Sequence, residues 1–509
     1  MKDSLSRRDF LKLAGLLPAG LAAPRLLSPA ASAVSGEDRQ NVLVIVFDAL
    51  AARNMSLYGY PRETTPNISR LAKRAVVYHN HVAAGDWTTP GTASLLTGTY
   101  PWTHRALRTD AGVAEQLRTR SLFDAFPDYF RMAYTHNLLA QEILDQLQPG
   151  IDMLWKRQQL LIPSKETLIS GNFSRDADIA AVSISRASEL ADDGFAYSLF
   201  LSRILEAVPQ IPGLKELEPF FPRGVPGEPR IGYFLLEHAI DWLKQQLAAA
   251  PQPFLGYFHF LPPHDPYSTR REFFNAFKGD LYRPVEKPVD VFSQGVIADA
   301  LQLRRHYDEF ILYVDHEFAR LFDSLESTGL LNNTWLVLTS DHGETFERGL
   351  LLHATTSLYE PVIRVPLLIF EPGRTEPMDI HEPTSAVDVL PTLARVTGHA
   401  FGNWVEGSVL PPFAPSPADA GRSIFALQAS STKRRAPITH GSIIVNRGQH
   451  KLHYYFGYPQ LGGGELVQLY DLREDPEELD DLVHRQRALA DELLAEARTR
   501  LAEANKPYL

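Results

Sequence analysis

The chain has 509 residues, a formal net charge of −11 and no cysteine. That length holds one large domain plus a smaller one; the charge offers nucleic acid no general attraction; and the missing cysteine excludes disulfides, thiol nucleophiles and thiolate metal sites. With 44% hydrophobic and 22% charged residues the composition is that of a soluble globular protein.

The first predicted element is an export signal. Ser6-Arg7-Arg8-Asp9-Phe10-Leu11-Lys12 is a twin-arginine pattern, a mildly apolar run follows at 13–23, and Ala31-Ser32-Ala33 offers a cleavage site. Residues 1–33 therefore read as a signal peptide of the Tat pathway, with the mature protein periplasmic or otherwise outside the cytoplasm. Pro18, Pro24 and Arg25 interrupt the run and argue against a stable membrane span.

Residues 41–47 are continuously apolar and β-branched, the signature of a strand buried on both faces of a parallel sheet, and they end at Asp48. Carboxyl ends of strands are where open α/β sheets bind ligands. Thr65-Pro66 opens a helix, followed by a short strand at 76–78. The stretch Asp86 to Gly98 predicts a helix over 90–97, with Pro90 in its first turn, Thr89 as N-cap, Gly98 as the stop and Thr88 just outside. Its free N–H groups and dipole favour an oxyanion beside the Thr88 hydroxyl.

Short helix and strand patterns alternate over 122–154, with a strand at 132–135. Residues 155–230 read as an insertion, with an apolar helix at 197–205, and could line an apolar cleft or touch a membrane surface peripherally. A helix is expected at 231–249 and a buried strand at 254–260, running into Leu261-Pro262-Pro263-His264-Asp265-Pro266-Tyr267. The prolines around His264 predict an extended, non-helical loop. A long helix at about 298–328 and a strand at 334–339 then deliver Ser340-Asp341-His342-Gly343-Glu344 to the same sheet edge as Asp48. After the loop carrying His353, a strand is expected over 359–370 and a helix over 388–397. Strands at 442–446, 451–456 and 465–470 and a helix at 479–504 describe a small antiparallel subdomain. The expected organisation is a catalytic α/β domain over 34–400, built on a large mostly parallel sheet flanked by helices, and a C-terminal α+β subdomain over 401–509.

Asp48, Thr88, Asp341 and His342 thus converge from three segments. Two carboxylates, an imidazole and a hydroxyl form a hard shell for one divalent cation such as Mn²⁺, Mg²⁺, Ca²⁺ or Zn²⁺. Such an ion would lower the pKa of the Thr88 hydroxyl and make it a nucleophile toward phosphorus. The helix amino end, His264 and His353 would steady the anionic oxygens. Four polar residues at loop starts, sharing no site, are the alternative.

Several stretches in one order resemble the sulfatase branch of the alkaline phosphatase superfamily: 41–48, 58–67, 88–101, 259–267, 339–344, Leu358-Tyr359-Glu360 through Arg364-Val365-Pro366-Leu367, 388–392, and Tyr470-Asp471-Leu472 with Asp475-Pro476. The resemblance implies an alkaline-phosphatase-like fold and a metal held by Asp48, Asp341 and His342. It places Thr88 at the nucleophile position. It makes His264 a substrate contact or leaving-group acid and His353 a ligand of the anionic group. Sulfatases proper carry Cys or Ser, matured to formylglycine, in Cys-x-Pro-x-Arg; here Thr88-Thr89-Pro90-Gly91-Thr92 stands instead, without the arginine. The aspartate pair of sulfatases is Asp48-Ala49 here. Threonine nucleophiles resemble the phosphotransferase, phosphodiesterase and lipoteichoic-acid-synthase-like members. The expectation is an exported, metal-dependent hydrolase or transferase of phosphate mono- or diesters acting on an anionic ester through Thr88. A sulfuric ester hydrolase without formylglycine and an inactive sulfatase-like binding protein are the alternatives.

Overall fold

The computed structural model describes residues 39–509 apart from 110, 163–213, 229–231, 294, 296, 415–420, 431, 434 and 435. The expected export segment at 1–33 and the expected helix at 197–205 lie outside the described residues.

The main sheet is built from β1 (Asn41–Phe47), β2 (Val76–Tyr78), β3 (Phe130–Thr135), β4 (Met153–Leu154), β5 (Phe254–Phe260), β6 (Thr334–Thr339), β7 (Leu367–Phe370) and β8 (Met378–Ile380). Their spatial order is β8-β2-β7-β6-β1-β5-β3-β4. Neighbours pair in parallel except β7, which is antiparallel to both β6 and β2. The helices that position the site are α1 (Thr88–Thr97), α2 (Leu138–Leu147), α3 (Leu236–Ala249), α4 (Ala300–Ser327), α5 (Glu360–Ile363), α6 (Val389–Val396) and α7 (Arg487–Asn505).

The apolar run of β1 is wholly buried, and its alternate side chains serve two cores. Leu43, Ile45 and Phe47 pack with Leu236 and Ile240 of α3 and with Phe310, Val314 and Phe318 of α4. Val42, Val44 and Val46 pack on the other face with Leu95 and Leu96 of α1, Ile143 of α2 and Leu390 of α6. Each fully buried side chain of this kind is worth about 1.5–3 kcal/mol, against about 0.5–1.5 kcal/mol for a typical hydrogen bond. The polar residues at the strand ends therefore ride on a register that the cores set.

The second sheet is antiparallel, β9 (Ser423–Gln428), β10 (Gly441–Arg447), β11 (His450–Phe456) and β12 (Glu465–Asp471) in that order. One face packs on Ala490, Leu493 and Ala497 of α7. The other places Ile424, Ala426 and Ile444 against Leu358, Val362 and Ile363 around α5. A buried ammonium fastens this junction: Lys451 Nζ stands 3.0 Å from Glu360 Oε1 and 2.9 Å from Glu478 Oε1.

Some local expectations are corrected. Residues 359–370 are not one strand: Pro361 opens the short helix α5, and only Leu367–Phe370 is extended. The helix expected from 231 begins at Leu236, after a two-residue strand at Gly232–Tyr233. The closing helix begins at Arg487 rather than 479, and β9 was not foreseen. The loop around His264 is non-helical but turns rather than extends, His264 N donating to Leu261 O at 2.9 Å.

Helix α1 begins at Thr88, with Trp87 as N-cap and no side-chain cap bond, and stops at Gly98 (φ 66°). Thr88 is thus the first helical residue, two positions further in than expected. Pro90 is accommodated because first-turn N–H groups need no partner within the helix. Gly91 lies so close to the end of β6 that a Cβ there would stand 2.3 Å from Asp341 O and 3.2 Å from Asp341 Cβ. Gly91→Ala therefore pushes α1 off the strand end. Chemical denaturation should show a loss of about 1–3 kcal/mol, as for overpacking; unchanged or raised stability would show that the helix moves aside freely.

Candidate active site

Asp48 continues β1, its N–H donating to Phe260 O at 2.9 Å, and Asp341 and His342 follow β6. Because β1 and β6 are parallel neighbours, with Val46 opposite Thr339, both strand ends open at one edge. Ser340 ties them together: its Oγ lies 2.6 Å from Phe47 O and accepts Leu50 N–H at 2.9 Å. Asp341 Oδ1 is spent on the backbone N–H groups of His342 (3.0 Å) and Ala49 (3.3 Å), leaving Oδ2 directed into the site.

The structure brings Asp48, Asp341 and His342 together, with one potential ligand atom from each mutually within 4.8 Å, all buried. His342 Nε2 stands 3.3 Å from Asp48 Oδ1, 3.6 Å from Asp341 Oδ2 and 3.4 Å from Thr88 Oγ. His342 Nδ1 donates to Gly343 O at 2.9 Å, which fixes the ring and turns Nε2 inward. Adjacent ligands at about 2.1 Å from a dication stand about 3.0–3.4 Å apart. The observed spacings are close to this, and Asp48 Oδ1 and Asp341 Oδ2 are buried without hydrogen-bond partners among the described residues. These donors fit a divalent cation.

Two further residues belong to this site although the sequence reading did not select them. His259, inside β5, presents Nε2 at 3.2 Å from Asp48 Oδ2 and 3.7 Å from Asp341 Oδ2. Its Nε2 is buried without a hydrogen bond. Asn137 is the N-cap of α2, its Oδ1 accepting Leu139 N–H at 2.7 Å and Ala140 N–H at 3.2 Å. Its Nδ2 meanwhile donates to Asp48 Oδ2 and, at 3.2 Å, to Thr88 Oγ. One amide thus caps a helix and braces two site residues.

A second group sits beside the first. The His353 ring lies 4.5 Å from that of His342 and 4.6 Å from that of His264. His353 Nδ1 is 3.0 Å from Glu344 Oε1, and His264 Nδ1 donates to Asp265 O at 2.7 Å. Every residue selected from the sequence is therefore in one place, arranged as a buried carboxylate–imidazole cluster with two imidazoles at its mouth.

The electrostatics divide these groups. Burial would raise the Asp48 carboxyl, but the positive charge of His264 and the adjacent His259 and His342 imidazoles hold it well below the usual range. Burial would lower His342, yet the carboxylates of Asp341 and Asp48 lift it to about 10. His264 is lifted to about 9 against its burial by Asp48, Asp265 and Glu344. His353 goes the opposite way, held well below the ordinary value by burial and by the cationic His342 and His264. Burial pushes Glu344 up to about 7. Two neighbouring imidazoles are thus driven apart, one kept protonated and one kept neutral, as acid and base partners require.

The double role of Asn137 is separable. Asn137→Ser retains an N-cap and should keep stability within about 0.5 kcal/mol, whereas Asn137→Ala should lose about 1 kcal/mol in equilibrium denaturation. Equal losses in the two variants would mean that the bond to Asp48, not the cap, carries the stability.

With this geometry the chain can be set beside known proteins. The family model described as Sulfatase matches residues 40–160 and 215–399. The choline-sulfatase of Rhizobium meliloti (strain 1021) is 24% identical over 476 residues, 89% of this chain and 84% of that protein. The multifunctional alkaline phosphatase superfamily protein PehA of Trinickia caryophylli is 24% identical over 497 residues, 87% of this chain and 91% of its own. Among solved structures, the phosphonate monoester hydrolase of Agrobacterium radiobacter superposes with a TM-score of 0.64 at 19% identity, covering 92% of this chain and 96% of that one. The family match covers more than half of the chain: it belongs to the sulfatase family of the alkaline phosphatase superfamily.

Proposed function

We propose that this protein is a metal-dependent hydrolase or transferase of phosphate mono- or diesters, with Thr88 as the nucleophile. The observation that carries the reading is the residue at the head of α1. A threonine hydroxyl lies 3.4 Å from His342 Nε2, beside two buried carboxylates, in a chain without the cysteine that formylglycine formation uses. Asp48, Asp341 and His342, with His259 beside them, would hold a dication, which would supply charge that lowers the pKa of the Thr88 hydroxyl and attracts the ester oxygens.

The chain's own groups account for the rest. The Asn137 amide holds Thr88 Oγ in place and stabilises its anionic form by donating to it. With its hydroxyl proton released to solvent, Thr88 Oγ attacks phosphorus and forms the Thr–O–P bond as the P–O bond to the leaving alcohol breaks. His264, protonated at neutral pH, supplies the proton to that oxygen. His353 donates Nδ1–H to Glu344 and keeps Nε2 as a lone pair, so it takes the proton of the water or acceptor alcohol that then displaces phosphorus from Thr88.

Sulfate ester hydrolysis without formylglycine is the second reading, favoured by the sulfatase names of several relatives, choline-sulfatase among them. Export by the Tat pathway is part of the proposal and rests on the twin-arginine pattern at Arg7-Arg8. Among the described residues no helix is long and apolar enough to cross a membrane.

Thr88→Ala should abolish turnover with circular dichroism and melting unchanged; retained turnover overturns the mechanism. Side-by-side assays with p-nitrophenyl phosphate, bis-p-nitrophenyl phosphate and p-nitrophenyl sulfate, with Mn²⁺ or Ca²⁺, should favour a phosphate ester. Preference for the sulfate supports the second reading. Chelation should remove activity. A cation must displace the proton that His342 otherwise holds, so metal affinity should weaken about tenfold per unit as pH falls below about 10; a flat dependence would exclude His342 as a ligand. As the acid, His264 must be protonated, so kcat/KM should fall as pH rises toward about 9, or lower once a cation offsets Asp48. His264→Gln should lower the rate and flatten that limb, and an unaltered limb would assign the acid elsewhere.

A further inference from the structure

Helix α5 has two neighbours of different kinds. On one side is the loop of His342: Gly343 N–H donates to Val362 O at 2.6 Å, and a Cβ on Gly343 would stand 2.2 Å from Pro361 O. On the other, Glu360 and Arg364 line a cavity of about 960 Å³. The cavity opens at the ends of β2, β7 and β8, where Leu367 pairs with both Tyr78 and Thr339, so it shares the edge that carries Asp341. With strands about 4.8 Å apart, it begins roughly 10 Å further along that edge. The β10–β11 turn (Gly448, Gln449) and the residues after β12 (Leu472, Arg473) close it from the second sheet.

Its lining holds three guanidiniums against two carboxylates, in a chain of net charge −11. Arg422 is committed to Asp388 through bonds of 3.0 and 2.6 Å, and Glu360 is committed to Lys451. Arg364 uses only Nε, donating to His79 O at 2.8 Å, and its terminal N–H groups meet no acceptor among the described residues. Burial depresses its pKa despite Glu360 nearby, the mark of a cation short of a partner. The Arg473 guanidinium is exposed and likewise has no partner among the described residues. Asn446, 3% exposed, leaves Oδ1 without a donor among the described residues, and Phe401, 39% exposed, lines the same space.

These groups specify a ligand. Two unpaired guanidiniums call for a carboxylate or an ester oxyanion. A buried amide oxygen lacking a donor calls for a hydroxyl, and a half-exposed phenyl ring offers a flat apolar face. The volume is that of a small-molecule pocket and far exceeds one inorganic anion. We propose that this cavity is a second binding site, separate from the Thr88 centre, for an anionic saccharide such as a sugar acid. Its charged group sits on Arg364 and Arg473, a hydroxyl donates to Asn446, and the ring lies on Phe401.

Calorimetric titration of the full chain with sodium glucuronate, glucose and inorganic sulfate tests this. Glucuronate should bind, glucose should not, and sulfate should bind at least about tenfold more weakly than glucuronate. Arg364→Gln should weaken glucuronate by about tenfold or more, the scale of a charged hydrogen-bonded contact. Because Arg364 also holds His79, Arg473→Gln and Phe401→Ala, both at exposed positions, serve as variants that preserve the fold, and each should weaken binding too. Glucuronate affinity unchanged in Arg473→Gln and Phe401→Ala overturns the site. Sulfate matching glucuronate, or glucose matching it, overturns the saccharide or the anion requirement respectively, and absence of glucuronate binding by the wild type overturns the proposal outright.

Discussion

Two carboxylates, Asp48 and Asp341, are buried side by side at adjacent strand ends, each with an oxygen that has no hydrogen-bond partner among the described residues. Like charges in a medium of low dielectric repel by several kcal/mol at such distances, and an uncompensated buried charge is among the costliest features a fold can carry. Only protons or a cation relieve it. In the protein alone the proton goes to His342, lifted to about 10. Two neighbouring groups follow from that constraint: His264 supplies positive charge beside the carboxylates, and His353 is kept neutral by burial and by that charge.

The architecture makes the constraint tolerable. Both aspartates hang from strands whose apolar side chains fill two cores, so repulsion at the edge acts on a register held by far larger forces. The second sheet adds to this from outside. Its apolar face presses on α5 and its Lys451 pairs with Glu360, so the helix between the His342 loop and the neighbouring cavity is clamped by burial and charge together. The small sheet is therefore a wall of the site region rather than an appendage.

Much of this was legible in the sequence because the decisive residues end continuous apolar runs. Asp48 after 41–47 and Asp341-His342 after 334–339 are placed by strand topology alone, and the parallel pairing of β1 with β6 makes them neighbours. His259 was not legible for the opposite reason: a histidine inside the apolar run 254–260 reads as a core residue, and only the β1–β5 register turns it toward Asp48. Asn137 has an obvious local role as a cap, which hides the reach of its other amide atom. The misreading of 359–370 has the same root. Local apolarity indicates burial, but the break at Pro361 and the antiparallel course of β7 depend on partners far away in sequence.

The contact between Gly91 and the Asp341 carbonyl also bears on which ions the site can accept. The hydrogen that Gly91 carries in place of a side chain lets the head of α1 rest on the strand end, and that contact resists compression while leaving extension free. Thr88 and the aspartates therefore have a minimum separation fixed by backbone packing. Under the proposed metal-dependent reading, an ion too small to span that gap would give up the threonine oxygen, whereas a larger one would be met by a slight lift of the helix. Ionic radius, rather than the general affinity order of the metals, would then be the selecting variable, and the gauge would be the one residue in the first turn of α1 that has no side chain.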